Sequence, residues 1–245
     1  MSALRQLLKS VFAAALPQSW LMTHGPRAAV SQQQEIALTF DDGPHPEHTP
    51  RLLDALAAAG AKGTFFVIGE QTLRHPNLVR RIADEGHEIG NHTWTHSEPA
   101  QTSAVRFLEE VTQTRQMIQN LTGRDCRMMR PPKGALTVGK TLGLWRRQQT
   151  IALWNSDPKD YAMTDEIELL RWLDGYRPRT GDIVLLHDNH PRAAVAVERL
   201  TRRDLRLVTL SEWLEYACPQ NVAESLRDSG RVAEQLGYKE VANVR

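Results

Sequence analysis

Two histidines four positions apart, His92 and His96, and two adjacent aspartates, Asp41 and Asp42, are the residues of this chain best suited to chemistry. A spacing of four sets two imidazoles on one face of a helical turn, at a separation that suits one metal ion. Neighbouring carboxylates repel, so both remain ionised only where cations share the site. One aspartate added to the two histidines makes a three-ligand set with open positions, the pattern of catalytic rather than structural zinc. The other aspartate is then free as a general base, because a bound divalent ion lowers the pKa of water from about 15.7 to about 7. Arg130 supplies a guanidinium that orients a carboxylate base and favours its ionised form. His187, whose ordinary pKa is about 6.5, suits protonation of a leaving group. Asp157 or Asp160 would accept its other ring proton and fix the tautomer.

These residues fall at the ends of predicted strands. Strand patterns cover Ile36–Phe40, Thr64–Ile68, His87–Asn91, Cys126–Arg130, Ile151–Trp154, Asp182–His187 and Arg206–Leu210. Helical patterns lie between them: Leu52–Ala59, with Thr49 as N-cap, Pro50 and Gly60 as punctuation, then a helix ending near Glu85. Further helices are expected over Thr102–Leu121, 137–147, 165–174, 191–201 and 211–217. Strands alternating with helices imply right-handed crossovers and a parallel sheet. Seven such units in one chain point to an α/β barrel or partial barrel. In such folds ligand chemistry sits on loops at the C-terminal strand ends, and five of those ends carry carboxylates, imidazoles or a guanidinium.

Composition narrows the classes. The chain has 245 residues, 41% hydrophobic and 24% charged, enough for a full core and inconsistent with disorder. Thirty basic against 29 acidic residues leave a net charge of +1, which removes the footprint of a nucleic-acid binder. Two cysteines rule out a disulfide framework or a thiolate zinc site, so a metal would rest on some of the nine histidines and on carboxylates. The run Val11–Leu16 is far short of the ~20 apolar residues of a transmembrane span. Arg5, Lys9 and Ala28-Ala29-Val30 imitate a signal peptide, but Pro17, Gln18 and His24 interrupt it, so a cytoplasmic or peripheral location is favoured over export. Residues 3–16 also read as an amphipathic helix able to lie on the domain or a membrane surface. The expected organisation is an N-terminal segment over 1–34, a catalytic domain over 35–217 and a helical tail over 218–245.

Taken in order, TFDDGP at 39–44, HTWTH at 92–96, RPPKG at 130–134, DPKDY at 157–161 and LLH at 185–187 resemble the polysaccharide deacetylases of the NodB-homology type, carbohydrate esterase family four. The resemblance covers about residues 35–215, and the first two blocks together are its most specific part. It implies a single distorted (β/α)7 barrel and removal of acetyl groups, most often N-acetyl, from N-acetylglucosamine units of a polysaccharide or oligosaccharide. It implies one divalent ion, zinc or else cobalt or nickel, on Asp42, His92 and His96. Asp41 would be the base, oriented by Arg130, and His187 the acid, tuned by Asp160. Thr93 would support the histidine pair, the Lys133 N–H would hold the oxyanion, and Leu185 and Tyr161 would wall the acetyl pocket. Lys133 stands where the family usually has an aromatic residue and Tyr161 where Trp is usual, departures that bear on the polymer recognised more than on the reaction.

Other readings share part of this pattern. Two histidines and a carboxylate also serve non-haem iron oxygenases, which typically carry them on a β-sandwich. A carbohydrate-binding relative without activity would have lost a ligand or His187, and all are present. A deacetylase or amidohydrolase acting on a small molecule or an O-acetyl ester fits the same residues. His24, His45, His48, His75, His87 and His190 read as turn, cap or surface residues, with His45, just beyond the aspartates, the exception to watch.

Overall fold

In the strand Gln34–Asp41 every residue after the first is buried, because both faces of the strand are covered. Ile36, Leu38 and Phe40 join the core shared with the surrounding helices. Ala37 belongs instead to a cluster filling the barrel interior, so by strand alternation Thr39 and Asp41 face inward above it. That parity decides which side chains reach the mouth.

The computed structural model describes residues 16–27 and 33–217. Its strands are β1 Leu21–Met22, β2 Gln34–Asp41, β3 Thr64–Val67, β4 Glu88–Asn91, β5 Met128–Met129, β6 Thr150–Ala152, β7 Asp182–His187 and β8 Leu205–Leu207. They pair in parallel in the order β1-β6-β5-β4-β3-β2-β7, with β8 on the first residues of β2. Between β7 and the chain beyond β6 there is a single bridge, Ser156 to Val184, where the Asn155 side chain also accepts the Ile183 N–H at 2.7 Å. The result is a distorted, barrel-like parallel sheet wrapped by helices, as the strand–helix alternation predicts. Val208, Leu210 and Trp213 close its lower end, with Gly25 against the Trp213 ring, where a Cβ would lie 2.4 Å from it.

Several elements differ from expectation. Leu21–Met22 lies in the segment set apart as N-terminal, yet it pairs with Ile151 and Ala152. The single helix expected after β3 is two, Gly69–Arg74 and Pro76–Asp84, broken where Pro76 lacks the N–H to continue. Thr49 is not an N-cap: the helix His48–Ala58 starts before it, and its hydroxyl accepts from the His45 N–H and donates to Asp188. The next long helix, expected to begin at Thr102, is Ala104–Thr122, capped by the Ser103 side chain. His87 is buried under the sheet, not on the surface, and burial pulls its pKa down to about 4. The segment before residue 16, the sequence Ala28-Ala29-Val30 and the tail from residue 218 lie outside the described residues. Among the described residues, no helix is long and apolar enough to cross a membrane.

Candidate active site

Strand register assembles the mouth. Asp41 pairs with His187 across β2 and β7, and the ladder continues past β4 through His92 N–H to Val67 and Arg130 N–H to Asn91. The two adjacent aspartates then part company, because Asp42 leaves the strand in the left-handed region at φ 74°.

Asp42 turns toward the histidines. Its Oδ1 lies 3.5 Å from His92 Nε2 and 3.5 Å from His96 Nε2. Ligands about 2.0–2.1 Å from a tetrahedral ion are about 3.4 Å apart, so the three donors are already spaced for one divalent cation. Asp42 Oδ1 is buried without a hydrogen-bond partner, an orphan that a cation would satisfy. His92 Nδ1 donates to the Arg130 carbonyl at 2.7 Å, which fixes the tautomer and turns the Nε2 lone pair into the cluster. Burial works against charge on Asp42, yet His92 and His96 hold its pKa down to about 2. His92, against its burial, is pushed upward by Asp41 and Asp42. The unpartnered Asp42 oxygen between two imidazole nitrogens leaves a place that a cation fits.

Asp41 faces the other way with one oxygen. Arg130 Nη1 donates to Asp41 Oδ1 at 2.8 Å, while Oδ2 stays 3.7 Å from His92 Nε2. The guanidinium is fully buried and each of its three nitrogens donates, the further acceptors being Thr39 Oγ1 at 2.7 Å, the Ala152 carbonyl at 3.1 Å and the Leu153 carbonyl at 3.0 Å. Its plane rests 4.2 Å above the Phe66 ring, which fits only because Gly90 has no Cβ to strike that ring. A buried charge needs both partner and hydrogen bonds, and Arg130 has both.

Opposite the cluster, His187 Nδ1 meets Asp160 Oδ1 at 2.7 Å, and the His187 N–H donates to Oδ2 at 2.8 Å. Burial lowers the His187 pKa, but the bond and charge of Asp160, with Asp41 and Asp42 behind, lift it to about 9. Asp160 therefore plays the part left open between two aspartates. Asp157 Oδ1 instead accepts the Lys159 N–H at 2.7 Å and shapes the turn. Tyr161 stands edge-on to His187, ring centroids 5.2 Å apart, and is 58% exposed, whereas Leu185 is buried on the same inward face of β7. Lys133 occupies the turn after β5 at φ 55°, with its ammonium paired to Glu98. The Thr93 hydroxyl accepts the His96 N–H at 3.2 Å.

Three residues escaped the sequence reading. Glu110, buried on the helix 104–122, accepts the N–H groups of Trp94 and Thr95 at 3.3 and 3.0 Å and the Thr95 hydroxyl at 3.0 Å. It thereby ties down the segment between the two histidines, which is a loop and not the helical turn their spacing suggested, since Thr93 and His96 sit at φ 66° and 54°. Asp188 follows His187 and lies against Gly43, where a Cβ would fall 2.1 Å from its carboxylate; burial raises its pKa to about 7. His190, read as a surface residue, is half-buried with Nε2 3.4 Å from Asp160 Oδ2. Of six non-glycine residues with positive φ among the described residues, Asp42, Thr93, His96, Lys133 and Lys159 surround this mouth. Strained backbone of that kind collects where function requires a fixed side chain.

Residues 29–144 match the sequence profile of the family described as polysaccharide deacetylase. A peptidoglycan-N-acetylglucosamine deacetylase of Bacillus cereus is 34% identical over 195 residues, 76% of this chain and 91% of that protein. The peptidoglycan-N-acetylglucosamine deacetylase PgdA of Listeria monocytogenes is 33% identical over 216 residues, 85% of this chain. The match spans 44% of that longer protein, less than half its length. The solved structure of the peptidoglycan deacetylase PdaC from Bacillus subtilis superposes with a TM-score of 0.70 at 29% identity, over 83% of this chain and 98% of that one. By profile, by a relative matched over nearly its whole length and by fold, the chain belongs to the polysaccharide deacetylase family.

Proposed function

We propose that this protein hydrolyses the acetyl amide of N-acetylglucosamine units in a polysaccharide or oligosaccharide, using one divalent cation, zinc first among the candidates. The observation that carries the reading is the division of labour between neighbours: Asp41 is held by Arg130 at 2.8 Å, and Asp42 by two imidazoles at 3.5 Å. Relatives named as peptidoglycan deacetylases support the substrate class.

Asp42, His92 and His96 would hold the cation, which when bound supplies Lewis acidity to a water and to the acetyl carbonyl. Asp41 Oδ2 takes the proton of the attacking water while Oδ1 stays fixed by Arg130. The backbone N–H of Lys133 donates to the oxygen that gains charge as water adds to the carbonyl carbon. His187 is protonated at neutral pH, since its pKa is lifted to about 9, and it gives a proton from Nε2 to the departing nitrogen. The C–N bond breaks, acetate leaves and a free amine remains on the sugar. Asp160 keeps the imidazole oriented throughout.

The test is acetate release from a panel of peptidoglycan, N-acetylglucosamine oligomers and O-acetylated xylan, with and without chelator. Chelator-sensitive release from the N-acetyl substrates is expected. Release from O-acetyl xylan alone, or from none of the panel with metal bound, would overturn the proposal. Lys133 and Tyr161 bear on which arm is preferred, since Lys133 offers a long glycan no aromatic face and the exposed Tyr161 ring offers a smaller one than Trp.

A further inference from the structure

A second set of metal donors lies across the mouth, separate from Asp42, His92 and His96. Asp160, His187 and His190 each bring one ligand atom within 4.8 Å of the others. Neither ring nitrogen of His190 has a hydrogen-bond partner, although both are shielded from solvent. A buried polar group left unpaired calls for a partner, and with both nitrogens free beside a carboxylate this imidazole is one a cation would satisfy. His190 Nε2 lies 3.4 Å from Asp160 Oδ2, the edge length about 3.4 Å expected between two ligands of a tetrahedral ion. On the other side of the carboxylate, His187 Nδ1 and Asp160 Oδ1 are 2.7 Å apart, with a proton between them. The Asp160 carboxylate is steadied by the backbone N–H groups of His187 and Tyr161 at 2.8 and 3.0 Å, so it is a fixed ligand rather than a mobile one.

We infer that Asp160, His187 and His190 form a second, weaker divalent-cation site, through which excess metal inhibits the protein. Occupation breaks the N–H bond at His187 Nδ1, releases that proton to solvent and puts the nitrogen lone pair on the cation. His187 retains a single proton on Nε2, as a neutral imidazole, and no longer donates it to a leaving nitrogen. The geometry also sets the order of filling. Both 3.5 Å edges at Asp42 are ready for an ion, whereas here the 2.7 Å edge must open by roughly 0.7 Å and give up a hydrogen bond. The second ion therefore binds ~10-fold or more weakly than the first. Binding at this cluster stands apart from the deacetylase reading; the inhibition rests on it.

Chelator-stripped full-length protein is titrated with Zn2+, with bound metal counted after dialysis and by calorimetry, and acetate release followed in parallel. The wild type takes up two equivalents, and activity rises over the first and falls over the second. His190→Ala takes up one equivalent and shows no falling phase. His190→Gln, checked by circular dichroism, repeats the measurement should the alanine variant misfold. A wild type that stops at one equivalent overturns the inference, as does a second equivalent that survives in both variants. Two equivalents with no acetate released at any zinc level would sink the deacetylase reading and leave the second site standing.

Discussion

Replacing Asp160 with asparagine removes the charge beside His187 while keeping the shape and most of the hydrogen-bonding surface. Burial opposes charge on His187, and the bond and charge of Asp160 head the influences that lift its pKa from 6.5 to about 9. An opposite charge in contact is worth about 1–3 pKa units, so the variant's imidazole falls to roughly 6–8. A cation on Asp42 offsets that residue's smaller share and leaves the Asp160 share intact. If protonated His187 is the acid, the alkaline limb of the kcat/KM profile moves from near pH 9 down by the same ~1–3 units, read by acetate release from pH 5 to 10. Stability changes in step. A histidine whose folded pKa is raised stabilises fully below its unfolded pKa of 6.5 and loses that contribution as pH rises through about 9. At 1.36 kcal/mol per unit the wild-type contribution is on the order of 3 kcal/mol, and the variant loses much of it. Its melting temperature therefore trails the wild type most at pH 6 and least above pH 9. An alkaline limb unmoved in Asp160→Asn would refute the assignment of His187 as the titrating acid.

Other expectations follow from the same geometry. Asp41→Asn keeps the donors of the metal cluster and should bind metal as the wild type does, while activity drops by ~10²–10⁴-fold; full activity would dismiss Asp41 as base. Glu110→Gln should weaken metal affinity by roughly 10–100-fold, measured by chelator competition, with activity returning at higher metal concentration. An unchanged affinity would mean that the histidine loop holds itself. Gly90→Ala places a Cβ 2.4 Å from the Phe66 ring beneath Arg130, and should cost about 1–3 kcal/mol in thermal unfolding. A melting temperature equal to wild type would show that Phe66 has room to move.

What could be read from the chain follows the length of its patterns. β2 and β7, with eight and six residues, carry apolar runs long enough to be seen, and they deliver Asp41 and His187. β1 has two residues and no period at all, so only its partners Ile151 and Ala152 define it. Thr49 looks like a cap locally, but a carboxylate 139 residues away claims its hydroxyl, and no local pattern reports that. The five motif blocks were legible because their residue types are costly to keep without a use. Glu110 left a fainter mark, a carboxylate on the stripe that buries Phe107, Val111, Thr114 and Ile118. His190, three residues beyond His187, was visible as a second imidazole but not as a neighbour of Asp160, which depends on the fold.

The bridge between Ser156 and Val184 has a bearing on how this protein would fail under heat. Asp42, His92 and His96 hang on β2 and β4, which β3 joins through an unbroken ladder. Asp160 hangs on the stretch just after Ser156, whose backbone attachment to β7 runs through Ile183 and Leu185. Regions with few backbone bonds open at lower free energy than the whole molecule. Opening there would carry Asp160 away from His187 in one event, with His187 still paired to β2. Amides around 155–161 should thus exchange with deuterium before those of β2 to β4. On warming, proton delivery would be lost while the metal ligands stay assembled, so inactivation would run ahead of melting and reverse on cooling.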